Sequence, residues 1–127
     1  MAAIAIGLVA GVVCYFAVSV LKARLRYDDS LDVFGVHGVG GTMGVLATGL
    51  FASTVINPAG ANGLFFGNPH QLLIQAIGAA VTICWAGIGT FILLKVVSLF
   101  TRLRVDAEDE RTGLDLPFHG ERAYDHA

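Results

Sequence analysis

His37 is the residue of this chain that is most directly suited, by its type and its position, to a chemical function. It lies in the run Asp32-Val-Phe-Gly-Val-His37-Gly-Val-Gly-Gly41, and after Asp32 the next acidic or basic side chain is Lys95. An ionisable group on a membrane-spanning helix is costly, and it usually faces a bundle interior or a water-filled cavity. His37 could therefore handle an ion or a proton, or it could be a neutral imidazole that hydrogen-bonds between helices. The chemistry of the residue leaves both interpretations open.

The composition indicates a membrane protein. Of the 127 residues, 55% are hydrophobic and 14% are charged, whereas a soluble domain has about 25% charged residues. The mean hydropathy is +0.70. The formal net charge is −2, and the charged side chains collect at residues 22–32 and 95–125, which excludes a basic nucleic-acid-binding surface.

Sequence signatures of enzymes and metal sites are absent. The sequence contains no phosphate-binding loop, dinucleotide fingerprint, nucleophile elbow or zinc-protease motif. Cys14 and Cys84 lie in different apolar segments without CxxC spacing, so we expect reduced thiols. His37 and His70 are too far apart to form a metal pair on one helix face. The sequence therefore predicts a protein that is not an enzyme and has no cofactor or metal.

Three long hydrophobic segments predict an all-α, polytopic membrane helix bundle. The first, Met1–Leu21, would extend about 31 Å as a helix, which matches a hydrocarbon core of about 30 Å. Unlike a signal peptide, it has no preceding basic region and is followed by basic residues. The second is Val33–Ile56 and the third is Gln71–Phe100. The predicted helices cover residues 1–24, 33–56 and 69–100, and residues 101–127 form a tail.

The distribution of basic residues predicts the orientation in the membrane. The loop 52–70 has no Lys or Arg, whereas basic residues stand on either side of it: Lys22, Arg24 and Arg26 before the second segment, and Arg102, Arg104, Arg111 and Arg122 after the third. The positive-inside rule then places the first connection and the tail in the cytoplasm and the 52–70 loop outside, in a multi-pass protein of the cell (inner) membrane. Three helices seldom enclose a pore, so we expect the end of a longer protein or one piece of an assembly.

Local residue types predict the ends of the helices. Asn57-Pro58 should stop the second helix. Asn68, Pro69 and Gln71 supply an N-cap residue, a proline for the first helical position and an N3 residue for the third helix. His70 is then expected in the first turn, near the membrane interface.

Acidic residues precede the second helix. Asp28, Asp29 and Asp32 would complement the positive end of its dipole, and that role is sufficient for Asp28 and Asp29. Asp32, the nearest to the helix, is the candidate for a further role.

Small residues are frequent in the second segment. Gly40, Gly44 and Thr48 lie four apart, which places them on one helix face and permits close approach of another helix. Tight packing of this helix would hold His37 rigidly within a narrow cavity. GxxxG spacing is common, so it does not by itself define a function.

The chain resembles ammonium transporters of the Amt/Mep/Rh family. The resemblance lies in Asp28-Asp-Ser-Leu-Asp32-Val-Phe-Gly-Val-His37-Gly-Val-Gly-Gly41 and Thr48-Gly-Leu-Phe-Ala52, which are similar to the tenth transmembrane helix of the family. It continues at His70-Gln-Leu-Leu73 and in the tail. The resemblance implies the last three of eleven helices plus the cytoplasmic C-terminal region. It also implies a homotrimer when the protein is complete.

The resemblance also implies roles for particular residues. His37 would be the second member of the family's pore-lining histidine pair, Val33 would line the pore below it, and Asp32 would lie in a protein-lined vestibule. Ammonium would be desolvated and would lose its proton before ammonia crosses a hydrophobic pore, since desolvation favours the neutral form of both ammonium and imidazole. The partner histidine of the family belongs to a helix that this chain does not contain.

The tail is expected to regulate transport. The residues Gly113, Asp115, His119, Gly120 and Tyr124 match the family's C-terminal region, which packs beneath the trimer and can meet a PII-type signalling protein. At Pro117 plant members carry a phosphorylatable Thr, so phosphorylation at that position is excluded here. The composition of the tail alone would instead indicate a solvated terminus.

A different class of protein also has to be considered. His37 could be a haem ligand in a non-conducting structural or redox membrane subunit. The chain has no second intramembrane histidine for bis-histidine ligation, which counts against this alternative.

Overall fold

The protein is described by a computed structural model that covers residues 2–121. Three long helices follow one another along the chain: α1 (Ala2–Leu25), α2 (Phe34–Phe51) and α3 (Pro69–Ser98). A short helix, α4 (Ala107–Thr112), lies in the tail. The part of the chain that the structure describes contains no β-strand. The predicted all-α membrane bundle is thus confirmed.

Each of the three long helices is apolar and long enough to cross a membrane. They contain 24, 18 and 30 residues, which correspond to lengths of about 36, 27 and 45 Å. A helix that is hydrophobic on all sides is typical of a membrane span, because lipid rather than water can cover its outer faces. The exposed positions include large side chains such as Trp85 and Phe91.

The buried positions are occupied by small residues. Among residues 2–121, those with the lowest solvent exposure are all alanine or glycine: Ala17, Gly35, Ala47, Gly49 and Gly63. This distribution is the opposite of a soluble core, where large apolar side chains are buried. Helices that associate in an apolar solvent gain from close backbone packing, which small residues allow. The helices of this chain therefore contact one another through their smallest residues.

The contact between α1 and α2 depends on two glycines of α2. A Cβ atom on Gly35 would lie 2.7 Å from Val18 Cγ2, and one on Gly40 would lie 2.8 Å from Cys14 Sγ. Both helices contain a π-helical turn at this contact, over Ala17–Leu21 in α1 and over Phe34–Val39 in α2. A π-helical turn adds one residue to a helical turn and is frequent at functional sites. In α2 it contains His37.

The contact between α2 and α3 is made by Gly49, where a Cβ atom would lie 2.9 Å from Leu72 Cα. The connection that follows α2 folds back on the end of this helix. The amide of Gly63 donates to the carbonyl of Ala52 at 2.7 Å, and the rings of Phe51 and Phe65 meet edge to face at 5.0 Å.

The predicted end of the second helix is wrong by five residues. The sequence indicated a helix to Ile56, stopped by Asn57-Pro58, whereas α2 ends at Phe51. Asn62 Oδ1 accepts hydrogen bonds from the amide and the hydroxyl of Thr54 at 2.9 and 3.0 Å. These bonds and the Gly63 bond to Ala52 hold residues 52–56 in a connection instead of a further helical turn.

The third helix begins where the residue types indicated. Pro69 is the first residue of α3, and the amide of Gln71 donates to the carbonyl of Asn68 at 3.2 Å. Pro at the first helical position costs no hydrogen bond, because the amide of that position has no partner within the helix. The helix ends at Ser98, two residues before the predicted Phe100.

Candidate functional site

His37 lies in the π-helical turn of α2 and is exposed in this chain. It is the only ionisable side chain of α2. Its imidazole makes no hydrogen bond to any of the residues from 2 to 121, so neither ring nitrogen is committed by the described structure. An imidazole in this position offers one donor and one acceptor nitrogen in its neutral form.

The face of α2 that carries His37 is otherwise lined by small residues. Spacings of four, three and four residues place Gly41, Gly44 and Thr48 on the same side as His37. A Cβ atom on Gly41 or Gly44 would meet no described atom within 4 Å. The hydroxyl of Thr48 donates to the carbonyl of Gly44 at 3.0 Å, so its polar hydrogen is directed to the helix backbone. His37 is therefore the only ionisable residue on a face of α2 whose other residues, Gly41, Gly44 and Thr48, are small.

Other positions of α2 are in contact with the neighbouring helices. Gly35 and Gly40 approach α1, and Gly49 approaches α3. The predicted packing face of Gly40, Gly44 and Thr48 is thus divided: Gly40 contacts Cys14, whereas Gly44 faces open space within the described part of the chain. The contacts of Gly35 and Gly49 were missed from the sequence, since nothing in a glycine's own position shows which distant residue lies against it.

Val33 precedes α2 by one residue and lies four residues before His37, which places the two side chains on the same side. Its side chain is half exposed. Val33 therefore lies toward the start of α2 on the side that carries His37. That both residues line a pore stays a prediction.

The start of α2 is held by Asp29. The two carboxylate oxygens of Asp29 accept hydrogen bonds from the amides of Val33 and Phe34, each at 2.9 Å. The first amides of a helix have no partner within the helix, and an acidic side chain both satisfies them and complements the helix dipole. Asp29 thus caps the start of α2 by direct hydrogen bonds, whereas the sequence predicted only that its charge complements the helix dipole.

Asp32 has a different partner. Its carboxylate lies 2.5 Å from the Nζ of Lys22 on α1, and its backbone is in the left-handed region, with φ 56°. The backbone carbonyl of Asp32 accepts the amide of Val36 at 2.9 Å. Asp32 thus lies at the beginning of α2, where the sequence placed it, but its charge is paired.

An apolar groove of about 670 Å³ runs between the first part of α1 and the body of α2. Its lining includes Val9, Phe34, Met43, Leu46 and Phe51, and Ile83 of α3 closes part of it. His37 and Val33 are not among the lining residues. The groove is therefore a separate feature from the face that carries His37.

The described part of the tail contains two ion pairs. Arg104 lies 2.8 Å from Glu110 on α4, and this hydrogen-bonded guanidinium lowers the pKa of the Glu110 carboxyl. Arg102 pairs with Asp106 at 3.2 Å. Both pairs are largely exposed, so they contribute little to stability.

The predicted regulatory residues of the tail follow α4. Gly113 and Gly120 have φ values of 94° and 66°, which glycine adopts without strain. Between them Asp115 and His119 begin and end a π-helical turn. Tyr124, the last residue of the predicted set, lies outside the described residues, as does Arg122.

These observations define a class of protein: a multi-span helical membrane protein whose helices pack through glycine and alanine and whose second span carries one ionisable side chain. The comparison with known families is more specific. Residues 1–124 match the model of the Ammonium Transporter Family. The chain therefore belongs to the ammonium transporter family, and the family prediction from the sequence is confirmed.

Individual relatives agree with this assignment. The chain is 50% identical over 123 residues to the ammonium transporter of Bacillus subtilis, covering 97% of this chain and 30% of that protein. It is 45% identical over 122 residues to ammonium transporter Amt1 of Archaeoglobus fulgidus, covering 96% and 30%. With ammonium transporter 1 of Dictyostelium discoideum the identity is 42% over 121 residues, covering 95% and 26%. The chain thus spans about 30% of the length of these relatives.

Proposed function

We propose that this chain is part of a membrane transporter for ammonium, which crosses the bilayer as ammonia through a hydrophobic pore. Support comes from the family match over residues 1–124 and from three apolar helices of spanning length. We further propose that the chain corresponds to the last three helices and the tail of a longer protein. The coverage of about 30% of each relative is consistent with this assignment.

The observation that carries the proposed mechanism is the position of His37. It is the sole titratable group of α2, it is exposed, and small residues flank it on the same face. A neutral imidazole can accept a proton on one nitrogen while it donates from the other, which is what a proton relay requires. In the proposed pore a substrate of the size of ammonia would reach this ring without obstruction from Gly41 or Gly44.

The energetics of desolvation favour this chemistry. Removal from water disfavours the charged form of both ammonium and histidine. Ammonium that enters a dry passage therefore tends to release its proton, and a neutral imidazole is the available acceptor. The second histidine of the proposed pair would come from a part of the transporter outside this chain.

Val33 and Asp32 have proposed roles at the same end of the pore. Val33 would provide an apolar wall next to His37. Asp32 would lie in the vestibule, where Lys22 neutralises much of its charge. A neutralised vestibule would hold ammonium less tightly than a free carboxylate and would so favour release over retention.

The proposed surroundings follow from the basic residues. The first connection and the tail would be cytoplasmic, in the inner membrane. The complete transporter would form a homotrimer, and the tail would contact its neighbours and a PII-type signalling protein. The charged side chains of the two tail ion pairs are exposed and so accessible to such a partner.

The test is the variant His37→Ala in the complete transporter. We expect methylammonium uptake per molecule to fall by about tenfold or more, because a positioned acid–base group typically contributes a factor of about 100 or greater. His70→Ala is the matched control, since His70 lies exposed in the first turn of α3. Size-exclusion chromatography of both variants should show unchanged assembly.

Two results would contradict the proposal. Unchanged uptake in His37→Ala would show that the imidazole takes no part in transport, and loss of assembly would indicate an interhelical hydrogen bond instead. An optical Soret band in the purified protein would support the haem-binding alternative.

A further inference from the structure

Lys22 connects the end of α1 with the start of α2. Its Nζ lies 2.5 Å from Asp32 Oδ1 and 2.5 Å from the backbone carbonyl of Asp29. The two side chains of the ion pair are 29% and 34% exposed, so the pair is partly sheltered from solvent. The side-chain amine of Lys22 therefore binds both ends of residues 29–32, the segment that leads into α2.

The same segment supplies the cap of α2. The carbonyl of Asp29 is bound to Lys22, while its carboxylate accepts the amides of Val33 and Phe34. Asp29 thus links Lys22 to the first turn of α2 through hydrogen bonds of its carbonyl and its carboxylate. The Lys22–Asp32 ion pair thus joins α1 to the residue that precedes Val33 and the start of α2.

The backbone conformation of Asp32 is a second feature of the segment that Lys22 binds. Asp32 has a φ of 56°, in the left-handed region, which costs some free energy in a non-glycine residue although aspartate tolerates it better than most. The ion pair with Lys22 is the contact that holds this side chain. The carbonyl of the same residue then accepts the amide of Val36, inside the π-helical turn.

One residue, Val33, separates the anchored segment from the turn that carries His37. The turn spans Phe34–Val39, and Gly35 within it rests against Val18, four residues before Lys22 on α1. The position of His37 is therefore set from two sides: by the Gly35 contact on the helix and by the Lys22 anchor at its start. The direction of the imidazole depends on the path of this turn, so a fixed start of α2 matters for His37.

We propose that Lys22 is a positioning residue for His37, acting through Asp32 and Asp29 rather than by touching the substrate. This inference rests on the proposed role of His37 in transport. From the sequence Lys22 was interpreted only as one of the basic residues that set the orientation. Arg24, two residues away and exposed, shares the predicted orientation role, whereas Asp32 pairs with Lys22.

The experiment compares Lys22→Met with Arg24→Met in the complete transporter. Each variant removes one positive charge from the end of α1, and only Lys22→Met removes the ion pair with Asp32. Hydrogen exchange of peptides covering 33–39 and 45–51 should be measured by mass spectrometry. In Lys22→Met we expect exchange over 33–39 to be roughly threefold to tenfold faster, because two hydrogen bonds of the ammonium are lost. Exchange over 45–51 should be unchanged.

Transport is measured on the same variants. Lys22→Met should lower the maximal rate of methylammonium uptake per molecule, with membrane abundance maintained, and Lys22→Arg should restore most of it because a guanidinium can reach the same acceptors. Arg24→Met should match the unmodified protein. Asp32→Asn should reproduce the effect of Lys22→Met.

The outcomes separate this inference from the function on which it rests. Unchanged exchange over 33–39 in Lys22→Met would overturn the positioning role, whatever the transport result. Faster exchange with unchanged uptake would also overturn it, because the turn would then move without consequence for His37. If His37→Ala retains full uptake, the proposed function fails, and the exchange data still report whether Lys22 anchors the turn.

Discussion

Gly49 is the glycine whose replacement should disturb the packing of α2 most clearly. In Gly49→Ala the added Cβ would lie 2.9 Å from Leu72 Cα, 3.1 Å from Leu72 Cδ1 and 3.2 Å from Gln75 Cγ. The nearest of these atoms belongs to the backbone of α3, which cannot rotate away as a side chain can. Relief requires α2 and α3 to separate over this contact.

The magnitude follows from a comparison with Gly44→Ala on the same helix. Alanine is favoured over glycine inside a helix by about 1 kcal/mol, and this gain applies to both variants. A Cβ on Gly44 meets no described atom within 4 Å, so that variant should be neutral or slightly stabilised. Overpacking of a well-packed contact costs about 1–3 kcal/mol. Gly49→Ala should therefore be less stable than Gly44→Ala by about 1–3 kcal/mol.

The assay is equilibrium unfolding of the purified complete transporter in mixed micelles, with helix content followed by circular dichroism. The quantity to compare is the free energy of unfolding of the two variants under identical conditions. Equal stability would refute the reasoning, because it would show that α2 and α3 do not meet at Gly49 as closely as the structure has them. A large loss for Gly44→Ala would show that the Gly44 face packs against another part of the transporter.

Two further predictions concern the orientation and the tail. Cysteines placed between residues 57 and 68 should react with an impermeant thiol reagent added to intact cells, and cysteines placed beyond Arg104 should react only after permeabilisation, because basic residues are retained in the cytoplasm; the reverse pattern would invert the topology. Removal of all residues after Arg104 should lower uptake per molecule by about fivefold, a typical effect of coupling between sites, with a smaller loss of membrane abundance. Glu110→Gln is the control that weakens only the Arg104–Glu110 pair, and equal uptake by the truncated and intact proteins would reduce the tail to a solvated end.

Local sequence patterns were sufficient to predict the three spans and the start of α3. In a bilayer each span must satisfy its own backbone hydrogen bonds, so an apolar segment of sufficient length has to be helical. Pro69 and Asn68 act at their own positions, and the beginning of α3 at Pro69 needs no distant partner. The isolation of His37 within an uncharged stretch is likewise a property of the linear sequence, as is the family resemblance.

The tertiary structure decided which of several equivalent residues make contact. Gly40 and Gly44 have the same residue type and helical spacing, and only Gly40 lies against α1, because helix crossing brings Cys14 to that point. Asp29 and Asp32 both precede α2, and only the fold shows that Asp29 caps the helix while Asp32 pairs with Lys22, ten residues earlier. The end of α2 at Phe51 depends in the same way on Asn62 and Gly63 in the following connection. Each of these outcomes is set by a distance between residues that are remote in sequence, which a local pattern does not contain.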